Sequence, residues 1–146
     1  MAKVEKVEQA VQAFQEGLSC SQALFATYGS ELGLDSAAAI RIASGFSSGM
    51  ARLGRTCGAV TGAMMVIGLA SDYTPDSLPK REQLFEKVRA LWNRFEQRNG
   101  STECRILVGC DLSNPEERLM AKDSGVLDRV CPKLVRDAAE ILEELL

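Results

Sequence analysis

Histidine is absent from this chain, and that gap removes a large share of ordinary site chemistry. No mixed Cys/His zinc site, no Ser-His or Cys-His nucleophilic pair and no histidine general base can be built from it. Proton transfer falls to water or a carboxylate, and any metal held by protein would rest mainly on sulfur. Aromatic residues make up only 5% of the chain, no long basic run is present, and the formal net charge is −3. That balance leaves nucleic acid without an electrostatic footprint and an anionic membrane surface without an attraction, so neither is an expected partner. The longest apolar run, Cys57 to Ala70, falls short of the roughly 20 residues that cross a bilayer. Met1-Ala2-Lys3-Val4-Glu5-Lys6 lacks the apolar core of a signal peptide. The expectation is a cytoplasmic protein.

What is present is a chain of 146 residues with 46% hydrophobic content, enough for one compact domain spanning residues 1–146 and too little for two. Its five cysteines call for a reason, because a reducing compartment does not maintain a static disulfide framework. Metal binding and redox work are the usual ones.

Val4, Val7, Val11 and Phe14 recur at helical spacing between charged residues, and Gly17 is placed to end that helix. Ser19 can cap a second helix that opens at Cys20 and carries Ala23, Leu24 and Phe25. Asp35 can cap a short alanine-rich helix over 36–43. From Lys80 to Arg98, Leu84, Phe85, Val88, Leu91, Trp92 and Phe95 trace one apolar face, with Trp92 expected in the core. Asn99-Gly100 stops this helix, and Ser101 or Thr102 can cap a short helix opening at Cys104. The segment from Gly109 to Asp128 is charged and loosely patterned. Cys131-Pro132 then reads as the start of a final helix, since proline suits the first helical position. The predicted fold is all-α: a single-domain bundle of about six helices around a buried, glycine-rich central helix. The apolar stripes of 80–98 and 132–145 are alike enough for one to face a second subunit in a homodimer, although core packing is the expectation for both.

That central helix follows the most distinctive stretch of the chain, Ser47-Ser48-Gly49-Met50-Ala51-Arg52-Leu53-Gly54-Arg55-Thr56-Cys57. A glycine-containing, basic, turn-prone segment gives way after Thr56 to an apolar run with small residues at Gly58 and Gly62, which reads as a loop feeding a buried helix. Cys57 sits at the join. The first turn of a helix offers unpaired N–H groups and partial positive charge, both of which stabilise an anion. With Thr56 as cap and Arg52 and Arg55 nearby, the Cys57 thiol is expected to ionise below its usual pKa of about 8.5. Gly58 and Gly62 would admit either a neighbouring helix or a bound group at close range.

Cys20, Cys57, Cys104 and Cys131 each fall at the predicted N-terminal end of a different helix, whereas Cys110 lies in a loop. Converging helix starts would give several thiols one positive, partly apolar setting suited to disulfide exchange or to a sulfur-ligated metal centre.

Ser19-Cys20-Ser21-Gln22-Ala23, then Ser47-Ser48-Gly49-Met50 leading to Cys57-Gly58-Ala59-Val60-Thr61-Gly62, then Cys104 and Cys131-Pro132 stand in an order that resembles the family of redox-active proteins named for its C-GCAxxG-C-C pattern. Cys-Gly-Ala-x-x-Gly is the central motif here. The resemblance covers nearly the whole chain and implies a redox class without a substrate. By position, Cys20, Cys57, Cys104 and Cys131 match the family's four cysteines, and Cys110 is an addition. The related domain also occurs with split-Soret type cytochromes, but no CxxCH site exists here, so covalent haem is not implied.

Three functions follow. In the first, the thiols work by disulfide cycling with a redox partner protein or a small-molecule thiol or disulfide, or they ligate an iron–sulfur cluster. Cys57 is then the most activated thiol, Arg52 and Arg55 support its anion, and one of the other three is its partner, with three pairings open. The second is a structural or storage zinc held by the same four thiolates. The third is a helical interaction module whose cysteines are incidental.

Overall fold

The computed structural model describes residues 3–146; Met1 and Ala2, which begin the stretch read against a signal peptide, lie outside them. Helix α1 (Lys3–Gln15) buries Val7, Ala10 and Val11 along one face and stops before Gly17, whose φ of +120° is reserved in practice for glycine. Helix α2 (Cys20–Glu31) opens on a capping box. The Gln22 amide donates to the Ser19 hydroxyl at 3.4 Å, and the Ser19 amide donates to the Gln22 side chain at 3.0 Å. Asp35 caps α3 (Ser36–Ala43) by accepting from the Ala38 amide.

After a single 3₁₀ turn (Ser44–Phe46) and an irregular segment come α4 (Gly58–Ala70), α5 (Leu78–Asn99), α6 (Cys104–Val108), α7 (Pro115–Ser124) and α8 (Val126–Leu145). Among the described residues there is no strand, only an isolated antiparallel bridge between Thr56 and Glu103. No helix among the described residues is long and apolar enough to cross a membrane.

Helix α4 is the central one, packed against α2, α5 and α8, while α1 lies across α2 and α8. It buries every residue from Gly58 to Ala63. A Cβ on Gly62 would stand 2.8 Å from the Ser21 carbonyl oxygen, so the glycine lets the α2 backbone lie directly on α4. The stripe of α5 reaches the core through fully buried Leu91 and Phe95, with Trp92 half-buried against it. The α8 stripe enters the same core through Leu134, Val135, Ala138, Ile141 and Leu142.

Among the described residues the bundle is therefore all-helical, with eight helices rather than about six. Helix α7 was concealed in the charged segment, although Asn114 caps it, Pro115 begins it and Gly125 ends it in the left-handed region. The last helix also starts earlier than expected. Val126, Leu127 and Val130 pack onto the apolar cluster around Cys104 and Cys131, and that burial holds the segment helical. Pro132, which supplies no N–H to the Asp128 carbonyl, is tolerated inside it.

Candidate functional site

Four elements each deliver one cysteine to the same hollow, a cavity of about 90 Å³ lined by Cys20, Cys57, Cys104 and Cys131. Cys20 is the first residue of α2 and Cys57 the N-cap of α4, while Cys104 is the first residue of α6. Cys131 departs from the expected pattern: it lies in the second turn of α8, and its thiol comes from a helix face rather than a helix end. Phe14, Val108, Leu112, Leu127 and Leu134 supply apolar wall.

Cys57 and Cys104 are brought together by main chain. The Cys57 amide donates to the Thr102 carbonyl at 2.7 Å, the Cys104 amide to Arg55 at 2.7 Å and the Arg105 amide to Gly54 at 3.2 Å. The segments just before α4 and α6 thus form a short antiparallel clasp with a cysteine at each exit.

The remaining wall is conformationally strained. Ser48, Gly49, Met50, Ala51 and Arg52 all have φ between 54° and 70°. A run of left-handed residues costs roughly 1–2 kcal/mol for each that carries a Cβ. The turn is held by the Leu53 amide donating to Met50, by the Arg55 amide donating to Gly49, and by the Ser47 hydroxyl donating to Ser19 at 2.8 Å. Gly49 has no room for a side chain, since its Cβ would fall 2.6 Å from that of Cys104. Sequence reasoning singled out this segment for its glycines and charge but missed Ser48 and Gly49 as lining residues. The Ser-Ser-Gly run carries that signal, because a glycine among turn-formers marks left-handed backbone and close approach.

The thiols are not equivalent. The Cys57 thiol, expected to ionise readily, is instead pushed up to about 12. The amides of Ala59 and Val60 do favour its anion, as a helix start should, but burial outweighs them at 3% exposure. Arg52 and Arg55 are both exposed, and neither appears among the groups that set its ionisation. Burial likewise raises Cys104 to about 11. Cys20 and Cys131 act on one another: the neighbouring Cys131 and burial hold the Cys20 thiol well above its ordinary value, while the neighbouring Cys20 draws Cys131 below its own, with burial and Asp128 opposing the fall. Of the four thiols lining the hollow, Cys131 is the one shifted downward.

The other residues proposed for the site divide. Gly58 lines the hollow, and a Cβ there would approach the Ser21 amide at 3.0 Å and the Cys20 Cβ at 3.2 Å. Gly62 is a helix-packing residue and does not line it. Arg52 lines a neighbouring cleft. Cys110 lies outside the hollow in the bend after α6, half-buried against the apolar cluster that contains Cys104 and Cys131.

All five cysteines are free. A sulfur-only donor set suits zinc or an iron–sulfur cluster, and the lining of the hollow is chemically such a set. As the side chains stand, no group of three or more Cys, Asp or Glu residues among those described is positioned to hold a metal ion.

Neither a curated protein nor a solved structure matches the chain. The family model described as "Putative redox-active protein (C_GCAxxG_C_C)" matches residues 18–145, a span that takes in the capping serine of α2, the strained turn and all four cysteines of the hollow. The chain belongs to that family.

Proposed function

We propose that this chain is a cytoplasmic thiol redox protein that cycles Cys20 and Cys131 between dithiol and disulfide at the expense of an external organic disulfide. The observation that carries the reading is the gathering of Cys20, Cys57, Cys104 and Cys131 in the lining of one hollow, where Cys20 and Cys131 shift one another's ionisation in opposite directions. Cys131, the thiol shifted downward, is the readiest source of thiolate, the species that attacks disulfides.

The Cys131 thiolate attacks one sulfur of the external disulfide. A bond forms from Cys131 to that sulfur, the external S–S bond breaks, and the departing thiolate takes a proton from water. Cys20 then gives up its proton and attacks the Cys131 sulfur. The second external thiolate leaves with that proton, and the Cys20–Cys131 disulfide remains. Two electrons pass from the cysteine pair to the external disulfide. Cys57 and Cys104, protonated at neutral pH and clasped through their backbones, form a second dithiol beside the first.

A second reading has one observation in its favour: cysteine is the sole metal-ligating residue type in the lining of the hollow. On that reading Cys20, Cys57, Cys104 and Cys131 would hold an iron–sulfur cluster or, less favoured, zinc. A cluster would supply electron transfer.

Anaerobic purification followed by an absorption spectrum, with iron, acid-labile sulfide and zinc counted on the same sample, separates the two. The expected sample is colourless and metal-free, and mild oxidation links the Cys20 and Cys131 peptides on a mass map. Iron with sulfide, or stoichiometric zinc, overturns disulfide cycling. Five thiols that resist oxidation and alkylate at ordinary rates leave an inert helical module.

A further inference from the structure

Beside the cysteine hollow lies a larger cleft of about 560 Å³, and Ser48, Leu112 and Leu127 line both. Its volume falls in the range of small-molecule sites, roughly 300–1,000 Å³. Three cations face it: Arg52 from the left-handed turn, and Arg118 and Lys122 one turn apart on α7. No acidic side chain lines it. The protein is acidic overall, and helix α7 itself carries Glu116, Glu117 and Asp123, yet all three lie outside the lining. Among the described residues none of the three cations forms an ion pair. On α5 and α8, by contrast, Arg94, Arg98, Lys133 and Arg136 are all paired with carboxylates. Arg118 is oriented by donating to the Leu112 carbonyl at 3.1 Å. Leu119, 59% exposed, adds apolar floor.

Like charges gathered without counter-charges repel one another, and a bound anion relieves that repulsion. We infer that this cleft is the substrate site of the cysteine hollow and that it selects a small organic disulfide bearing at least two negative charges. The inference rests on the thiol–disulfide reading above and adds the class of the oxidant. A cleft of this size with three cations and an apolar floor admits two short acidic arms on either side of an S–S bond. Its shared wall brings that bond to the edge of the space where Cys131 lies.

The test uses reduced full-length protein and three symmetrical disulfides of similar size: dithiodiglycolate, a dianion; bis(hydroxyethyl) disulfide, neutral; and cystamine, a dication. Each oxidation rate is normalised to that of the same disulfide with free dithiothreitol. The expected order is dianion, neutral, dication, with on the order of tenfold or more between the ends, collapsing toward unity in about 1 M salt. The combined variant Arg52→Gln, Arg118→Gln, Lys122→Gln loses this preference. A variant with the same charge change at exposed Arg41, Lys87 and Arg89 keeps it, and circular dichroism checks that both are folded. Adipate, which has methylenes in place of the two sulfurs, is the redox-inert probe. Calorimetry should show salt-sensitive binding to the wild type and none to the cleft variant.

Equal normalised rates for the three disulfides together with no adipate binding overturn the inference while leaving disulfide cycling intact. Adipate binding with no oxidation by any disulfide overturns the cycling reading and with it the cleft's role as a substrate site.

Discussion

The molecule buries two apolar clusters, and they are built differently. The larger, formed by α1, α2, α3, α4, α5 and α8, closes by direct contact between large side chains such as Phe95, Leu91, Ile67 and Ile141, all at most 1% exposed. Its single buried sulfur is that of Cys57. The smaller, beneath α6 and α7, has Cys104 and Cys131 among its five buried residues, with Cys20 and Cys110 packed against it. It does not close: the hollow remains between the clusters, lined in part by Ser48 and Gly49 of the left-handed run. Burial of hydrocarbon stabilises the first region, and the strain in the wall of the second persists because the first supports it. The large cluster is where the fold is stabilised, and the small one is where the reactive groups are gathered.

The strongest way to break that division is Phe95→Ala. Removing a fully buried phenylalanine should lower stability by about 3–5 kcal/mol in urea unfolding, while the folded fraction keeps its thiol-exchange rate. A large change in that rate would show that the clusters are coupled.

A sharper comparison uses two glycines that lack room for a Cβ. Gly62→Ala forces a Cβ to 2.8 Å from the Ser21 carbonyl oxygen, and Gly49→Ala forces one to 2.6 Å from the Cys104 Cβ. Each should destabilise by about 1–3 kcal/mol through overpacking. Only Gly49→Ala, which also puts an alanine at φ +67°, should change the alkylation rate of Cys104. Equal effects of the two on the thiols would remove the distinction between packing glycine and site glycine.

The larger cluster was legible because its signals are periodic and local. The Ser19 and Asp35 caps and the buried run after Cys57 survive in the structure, and so does the stripe of α5 through Leu84, Val88, Leu91, Trp92 and Phe95, whereas Phe85, read as part of it, is 45% exposed. Convergence of the four cysteines was suggested by all four falling at predicted helix starts; Cys20, Cys57 and Cys104 do so, but Cys131-Pro132 pointed to a boundary that tertiary packing overrides. Asn114-Pro115 and Gly125 punctuated α7 clearly; the mixed charge between them obscured it. The thiol order was inverted for a different reason. A helix start and two arginines are visible in sequence, whereas the depth at which Cys57 is buried follows from how α2 and α4 pack, and depth outweighs the helix dipole here. The cationic cleft joins Arg52 to Arg118 and Lys122, 66 and 70 positions further along the chain, and no local pattern signals that.

The subtlest expected effect concerns alkaline stability, and it tests whether Cys57 belongs to the apolar core. In the unfolded chain its thiol titrates near 9.0, and in the folded protein near 12. The native state therefore holds a proton that the unfolded state has released. Stability from this group is complete below about pH 9 and falls by about 1.4 kcal/mol per pH unit as pH rises toward 12. Cys104 adds a slope of the same sign between 9.0 and about 11. Within the Cys20–Cys131 pair one shift is upward and the other downward, so their contributions oppose each other. Buried Tyr28, which donates to the Glu143 carboxylate at 2.9 Å, is also shifted upward and steepens the alkaline loss in every variant. The readout is therefore a difference between proteins. Urea unfolding of reduced wild type and Cys57→Ala, carried from about pH 8 to pH 11, should give a variant whose alkaline slope is shallower by about 1.4 kcal/mol per unit. Identical slopes would mean that Cys57 titrates as an exposed thiol, which would return to it the reactive role that the proposed cycle gives to Cys131.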